Sequence, residues 1–299
     1  MNPAMPALFS GPVADGADGG PLGVRRPPSC PGPISARSRA EGFSERFARI
    51  PSALIQKVNG VASEEGFVYI GGRIADTIGG ALGGFAGTRD VLDFGCGLGR
   101  VAARLFDRAP DARIVGFDID PMMLKWGEDL LAGQPVRFVD TTLDLPNRSF
   151  DLVIAVSVFT HLDATTDYWL AEIHRLLRPG GRAFLTYHDQ TLFGEMALQG
   201  QLPGVASDGA LADRYVLGRG TPEGGAAMGT FYTTEHWERL LDRWFVISAT
   251  AERGMFGHQS YSVVRPRPVS PPRGELLRRY ARSLERHLSD LRREHEIFY

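Results

Sequence analysis

The chain has 299 residues, 43% of them apolar, and a formal net charge of −2. That is enough apolar material for one large globular unit, and the near-neutral charge gives no electrostatic reason to expect nucleic acid or an anionic membrane surface as a partner. The two cysteines, Cys30 in a Pro/Gly-rich tail and Cys96 inside a glycine turn, outline no disulfide framework. With no secretory leader and no apolar run of about 18 residues, the sequence predicts a soluble cytoplasmic protein.

In chain order, residues 1–40 are rich in proline and glycine and poor in aromatics, a composition that cannot bury enough surface to offset chain entropy and predicts a disordered tail. The globular domain is expected over 41–270. It begins with leading helices: Phe43, Phe47 and Ile50 recur at helical spacing before Pro51, and EEGFVYIGGRIADTIGGAL (64–82) is a glycine-interrupted apolar helix.

Short apolar runs then alternate with helical segments. DVLDF, ARIVGFDID, VRFVD, SFDLVIAVSVF and RAFLTYH are predicted as strands, and GRVAARLFDRA, PMMLKWGEDLLAG and TDYWLAEIHRLLR as helices, the last stopped by PGG. This alternation predicts an α/β fold: a Rossmann-like, doubly wound, mostly parallel sheet with helices on both faces. In such a sheet the ligand crevice lies at the carboxyl ends of the strands.

The first of these strands ends in VLDFGCGLGR, with Asp93 followed by Gly95, Gly97 and Gly99. Glycines there let a ligand approach the backbone beside helix-terminal N–H groups. Asp118, ending the next strand, is the acid expected to accept both hydroxyls of a ribose. Dinucleotide dehydrogenases carry a similar acid, but their last two glycines are spaced G-x-x-G, whereas here the pattern is G-x-G-x-G. Asp93 would repel a pyrophosphate and attract an ammonium group. The ligand expected is therefore a nucleoside bearing an amino acid.

VLDFGCGLGR, IVGFDIDPMML, LPNRSFDLVIAVSVFTHL and EIHRLLRPGGRAFLTYH together resemble the ordered motifs of class I S-adenosylmethionine-dependent methyltransferases. The resemblance covers roughly residues 62–266, where HWERLLDRWFVISATAERG and GHQSYSVVRP look like the family's last helix and its closing antiparallel strand pair. It implies S-adenosyl-L-methionine as cofactor. It places Asp93, Gly95 and Gly97 at the methionine end, with Cys96 and Gly99 in the same cofactor-binding turn, Asp118 on the ribose and Ile119 on the adenine. Where many relatives carry an acid for the adenine amino group, this chain has Thr141, with Asp140 one residue earlier. Val156 and Ser157 are expected to face the methionine portion, and Arg73 and Arg100 are candidates for its carboxylate, each alternatively an exposed helix charge.

The implied activity is transfer of a methyl group to a small organic acceptor, most naturally a hydroxyl of a natural product or sugar. Two alternatives remain: a protein that binds the cofactor without transferring methyl, and an NAD-dependent oxidoreductase. His161, His188 and His258 lie where strand ends should converge. His188 and His161 are the catalytic candidates, with Asp189 as a possible orienter, while Cys96 is expected to be a small buried filler. An insertion at 189–231 is too long for an ordinary connection and predicts a lid. Phe159, His258, Tyr215 and Phe231 are the candidate acceptor contacts, and no metal site is indicated. Residues 271–299 predict an amphipathic helix, a possible site of homo-oligomerisation.

Overall fold

The computed structural model describes residues 42–269 except 61, 220, 222 and 226. The tail at 1–40 and the helix at 271–299, with the association expected of it, lie outside the described residues. Three helices lead in: α1 (Phe43–Phe47), α2 (Ser52–Asn59) and α3 (Glu64–Leu82). Ser63 caps α3 by accepting the Gly66 amide, and the helix ends at Gly83 in the left-handed region. Its buried residues Phe67, Gly71, Ile74, Ala75, Ile78 and Leu82 form one helical stripe.

The central sheet has seven strands: β1 (Asp90–Phe94), β2 (Arg113–Phe117), β3 (Val136–Val139), β4 (Phe150–Ala155), β5 (Leu177–Tyr187), β8 (Phe245–Met255) and β9 (Gln259–Pro266). Their spatial order is β3-β2-β1-β4-β5-β9-β8. All neighbours among β1 to β5 are parallel, and β9 runs antiparallel to both β5 and β8. The order reverses between β1 and β4, so a crevice opens at their carboxyl ends.

Period-two alternation divides the core. Val91, Leu152 and Ile154 pack with α1 to α3 on one face, while Leu92, Phe94, Val153 and Ala155 pack with Trp169, Tyr187 and Trp237 on the other. Helices α4 (Ala102–Leu105), α5 (Pro121–Leu130), α6 (Thr166–Leu176) and α8 (Thr234–Asp242) cover the sheet. Two boundaries differ from the sequence reading. The helix expected over GRVAARLFDRA is regular only over the short α4, because Arg104 and Arg108 bond carbonyls three residues back while Ala103 and Ala109 bond four back. Helix α6 ends before the PGG, since Leu177 is already paired with Phe150 in β5.

The described residues of the insertion carry secondary structure of their own. The insertion contains α7 (Gln190–Leu198) and an antiparallel hairpin, β6 (Arg214–Leu217) with β7 (Gly229–Tyr232). Leu192, Phe193, Met196, Leu202 and Phe231 give it a small core of its own. A bridge between His188 and Phe231 ties that hairpin to the end of β5.

Candidate active site

After β1 the chain turns back under the carboxyl end of β2. The amides of Gly95 and Cys96 both donate to the Phe117 carbonyl, at 2.7 and 2.9 Å, and the Gly97 amide donates to Asp118 Oδ2 at 2.7 Å. Gly95 sits at φ +74°, and a Cβ there would lie 2.4 Å from Val158 Cγ2. Only glycine fits this close approach of the two strand ends. A Cβ on Gly97 would meet Val58 of α2 at 3.0 Å, so the leading helices cover the turn.

Asp93 is buried, and its Oδ2 accepts the Ala102 amide at 3.2 Å. Burial pushes its carboxyl up to about 7, against the lowering effects of that hydrogen bond and of Arg100. Burial likewise raises Asp118, partly offset by hydrogen bonds from the Asp120 and Gly97 amides. Arg100 is buried and donates from Nη1 to Asn59 Oδ1 at 3.0 Å, while its Nε has no partner. Cys96 is buried, with its thiol raised well above the ordinary value by burial and then by Asp93 and Asp118; it stays protonated.

Ile119 lies half-buried after β2, where Gly224 of the insertion comes close enough that a Cβ on it would sit 2.8 Å from Ile119 Cδ1. Val156 and Ser157 follow β4. Ser157 adopts φ +60°, and its amide donates to Thr186 Oγ1 at 2.8 Å. Asp140 and Thr141 line a cleft of about 420 Å³ between α5 and β3, with Lys125 and Glu128 across from them.

Three expectations meet a different setting, and a fourth loses its alternative. Arg73 is exposed on α3 and reaches Tyr69 Oη at 3.4 Å, while Gly71, two positions before it, is the residue whose face packs on Arg100. Arg100, by contrast, is no exposed helix charge. Phe159 has no exposed surface and packs edge-on against Trp237 at 5.3 Å, so it is core and touches no acceptor. Asp189 is buried as the cap of α7, accepting the Leu192 amide at 2.9 Å and the Ser260 hydroxyl, and neither nitrogen of the adjacent His188 is bonded to it.

The three histidines do converge. His188, 1% exposed, stacks on Phe231 with ring centroids 5.1 Å apart, and neither ring nitrogen has a partner. Burial, then the neighbouring His161 and His258, push it down to about 3. His161 follows β4 in a single 3₁₀ turn, Phe159–His161, and its Nδ1 lies 2.6 Å from the Met228 carbonyl. A carbonyl can only accept, so Nδ1 carries the proton and Nε2 keeps its lone pair. Burial lowers the pKa of His161, the Met228 contact raises it and Lys57 lowers it. Tyr215 is half-buried in the insertion, donating to the Pro203 carbonyl at 3.1 Å.

Other residues of the site escaped the sequence reading. Gln259, which begins β9, donates to Ser157 Oγ at 2.8 Å and leaves its own buried Oε1 unpaired. Asn59, Lys57 and Val58 come from α2, and Glu223 from the insertion. Only Asn59 carried a sequence signal, an Asn-Gly pair closing a helix; the others act across distances in sequence that no motif spans.

Among known proteins, the family model described as a methyltransferase domain matches residues 92–185. An uncharacterized methyltransferase of Mycobacterium tuberculosis is 37% identical over 98 residues, 32% of this chain and 48% of the relative. The malonyl-[acyl-carrier protein] O-methyltransferase of Hahella chejuensis is 36% identical over 109 residues, 35% of this chain and 39% of the relative. The chain thus spans less than half the length of these relatives. The glycopeptide N-methyltransferase MtfA, solved with S-adenosyl-L-homocysteine, shares the fold at a TM-score of 0.50 and 16% identity, covering 66% of this chain and 90% of that one. The mixed sheet, the glycine turn and these matches define one class. The chain carries a class I S-adenosylmethionine-dependent methyltransferase domain.

Among the described residues, no helix is long and apolar enough to cross a membrane, and no group of three or more His, Cys, Asp or Glu side chains is arranged to hold a metal ion.

Proposed function

We propose that this protein transfers a methyl group from S-adenosyl-L-methionine to a hydroxyl of an uncharged small organic acceptor. The residues at the turn fit the cofactor. Gly95 and Gly97 carry the turn at positive φ with no side chain on it, Asp118 at the end of β2 is the residue for the ribose and Ile119 for the adenine, and the buried Asp93 and Arg100, the latter with its Nε unpaired, are the groups for the amino-acid end. When bound, the cofactor supplies an electrophilic methyl on a sulfonium.

The chain's own contribution is to hold the acceptor, exclude water and take a proton. The observation that carries the hydroxyl reading is the bond from His161 Nδ1 to the Met228 carbonyl, which leaves Nε2 as a proton acceptor on a neutral ring. His161 is thus the base: its Nε2 would take the acceptor's proton as the oxygen–methyl bond forms and the methyl–sulfur bond breaks, with the neutral thioether as leaving group. His188, its pKa pushed far below the working range, is a weak base; it serves as an orienting group, and Gln259 Oε1, also buried and unpaired, as a second. Two cations at this end of the sheet, Lys57 and Arg253, are already paired with Asp120 and Glu195, which favours an uncharged acceptor over a carboxylate.

Calorimetry with S-adenosylhomocysteine tests the first half: Asp118→Ala should lose on the order of 2 kcal/mol or more of binding free energy, the worth of charge-assisted bonds to a diol. Unchanged affinity removes the ribose assignment. A screen of hydroxylated small molecules read by product mass tests the second half. Methylation confined to amines or carboxylates sinks the hydroxyl reading.

A further inference from the structure

The loop between β6 and β7 is fastened to the segment after β4. Glu223 Oε1 accepts the Ala164 amide at 2.7 Å, and Oε2 accepts the Thr165 amide at 3.2 Å together with the Thr165 hydroxyl. One residue on, the Gly224 amide donates to the His161 carbonyl at 2.8 Å. Four residues beyond that, the Met228 carbonyl receives His161 Nδ1. His161 is therefore gripped twice by the loop, once at its backbone and once at its ring, and Glu223 secures the loop on the far side of the same short segment.

We propose that Glu223 is a positioning residue for catalysis: its carboxylate holds the loop in the register that keeps the Met228 carbonyl on His161 Nδ1, fixing the tautomer that leaves Nε2 free to take a proton. The inference rests on the reading of His161 as base. A free imidazole populates both neutral tautomers, so the choice must come from outside the ring. Here the choice is made by a backbone carbonyl belonging to the insertion, and no side chain of the domain's central sheet substitutes for it in the bonds described. Gly224 also lies against Ile119, so the same loop touches the residue placed beside the adenine. Loading the cofactor and presenting the base are thereby linked through one stretch of chain.

The test uses the full-length protein and two variants. Glu223→Ala removes all three bonds. Glu223→Gln keeps one accepting oxygen but puts an NH₂ group opposite an amide donor, so it should fall between wild type and Ala. Nitrogen-15 NMR of histidine reports the tautomer directly and needs no turnover. Wild type should show His161 protonated at Nδ1, and Glu223→Ala should show a mixture of the two tautomers. With a verified acceptor, kcat should fall about tenfold in Glu223→Ala and less in Glu223→Gln, with KM for the acceptor changed less than kcat. An unaltered Nδ1-protonated signal in Glu223→Ala overturns the proposal, as does a shifted tautomer with full turnover. If wild type methylates none of the hydroxylated compounds, the hydroxyl reading fails on its own account while the NMR result still decides whether Glu223 sets the ring.

Discussion

In the turn after β1, Asp93 bonds an amide nine residues away and Asp118 an amide twenty-one residues away. At the ends of β4 and β5, His161 bonds a carbonyl sixty-seven residues away, and Gln259 reaches Ser157 across one hundred and two. The two regions also differ in how completely they are satisfied. Both carboxylates at the turn accept backbone N–H groups, and of its charged groups only Arg100 Nε is left over. Around His188 the structure leaves both ring nitrogens, Gln259 Oε1 and Thr230 Oγ1 buried and unpaired. Buried polar atoms without partners are costly in a folded chain and rare. A site built to receive a varied ligand can carry them, because the ligand completes the bonds. The contrast is between a turn closed by bonds of short sequence separation and a histidine cluster put together from distant pieces.

Replacing the proposed base should give the largest effect. His161→Gln is expected to lower kcat by roughly 10²–10⁴ while leaving S-adenosylmethionine affinity unchanged. The wild-type rate should fall as pH drops below the ordinary histidine value, since burial lowers the pKa and only the neutral ring takes a proton. Full turnover in His161→Gln, or equal damage to cofactor binding, would erase the division between the two regions.

The second effect sharpens the account of the turn. Asp93 has a folded-state pKa raised from 3.8 to about 7, so the folded chain holds this proton more tightly than the unfolded chain. Its stabilising contribution is complete below pH 3.8 and is lost as pH rises through about 7, on the order of a few kcal/mol by linkage. Urea denaturation of the cofactor-free protein at several pH values between 5 and 8 should show stability declining with pH, and Asp93→Asn should flatten that slope. A slope unchanged in the variant would assign the effect to other groups.

The smallest expected effect concerns Arg73, which the sequence nominated for the cofactor carboxylate and the structure sets on the exposed side of α3. Arg73→Ala should change S-adenosylhomocysteine affinity less than about twofold, as substitutions at exposed positions away from a site do. A large loss would mean that α3 turns or shifts when the cofactor binds.

The sequence by itself determined the sheet, its parallel strands and the turn, because each is written in a local pattern even though the strands it pairs lie far apart in the chain: the apolar runs DVLDF and DLVIA alternating with helical segments, the glycines after Asp93, the acid at the end of β2. It also brought out three histidines at strand ends, since strand ends in a parallel sheet share one edge. What it could not decide was direction and depth. Phe159 and His161 are two residues apart in one 3₁₀ turn, yet one faces Trp237 in the core and the other faces the insertion. Arg73 and Arg100 were equal candidates in one dimension, and the face of a helix separated them. The tautomer of His161 and the part given to Glu223 were decided by the tertiary structure alone, because both depend on where a loop from the insertion comes to rest against a segment more than fifty residues earlier, and no local preference of either segment encodes that meeting.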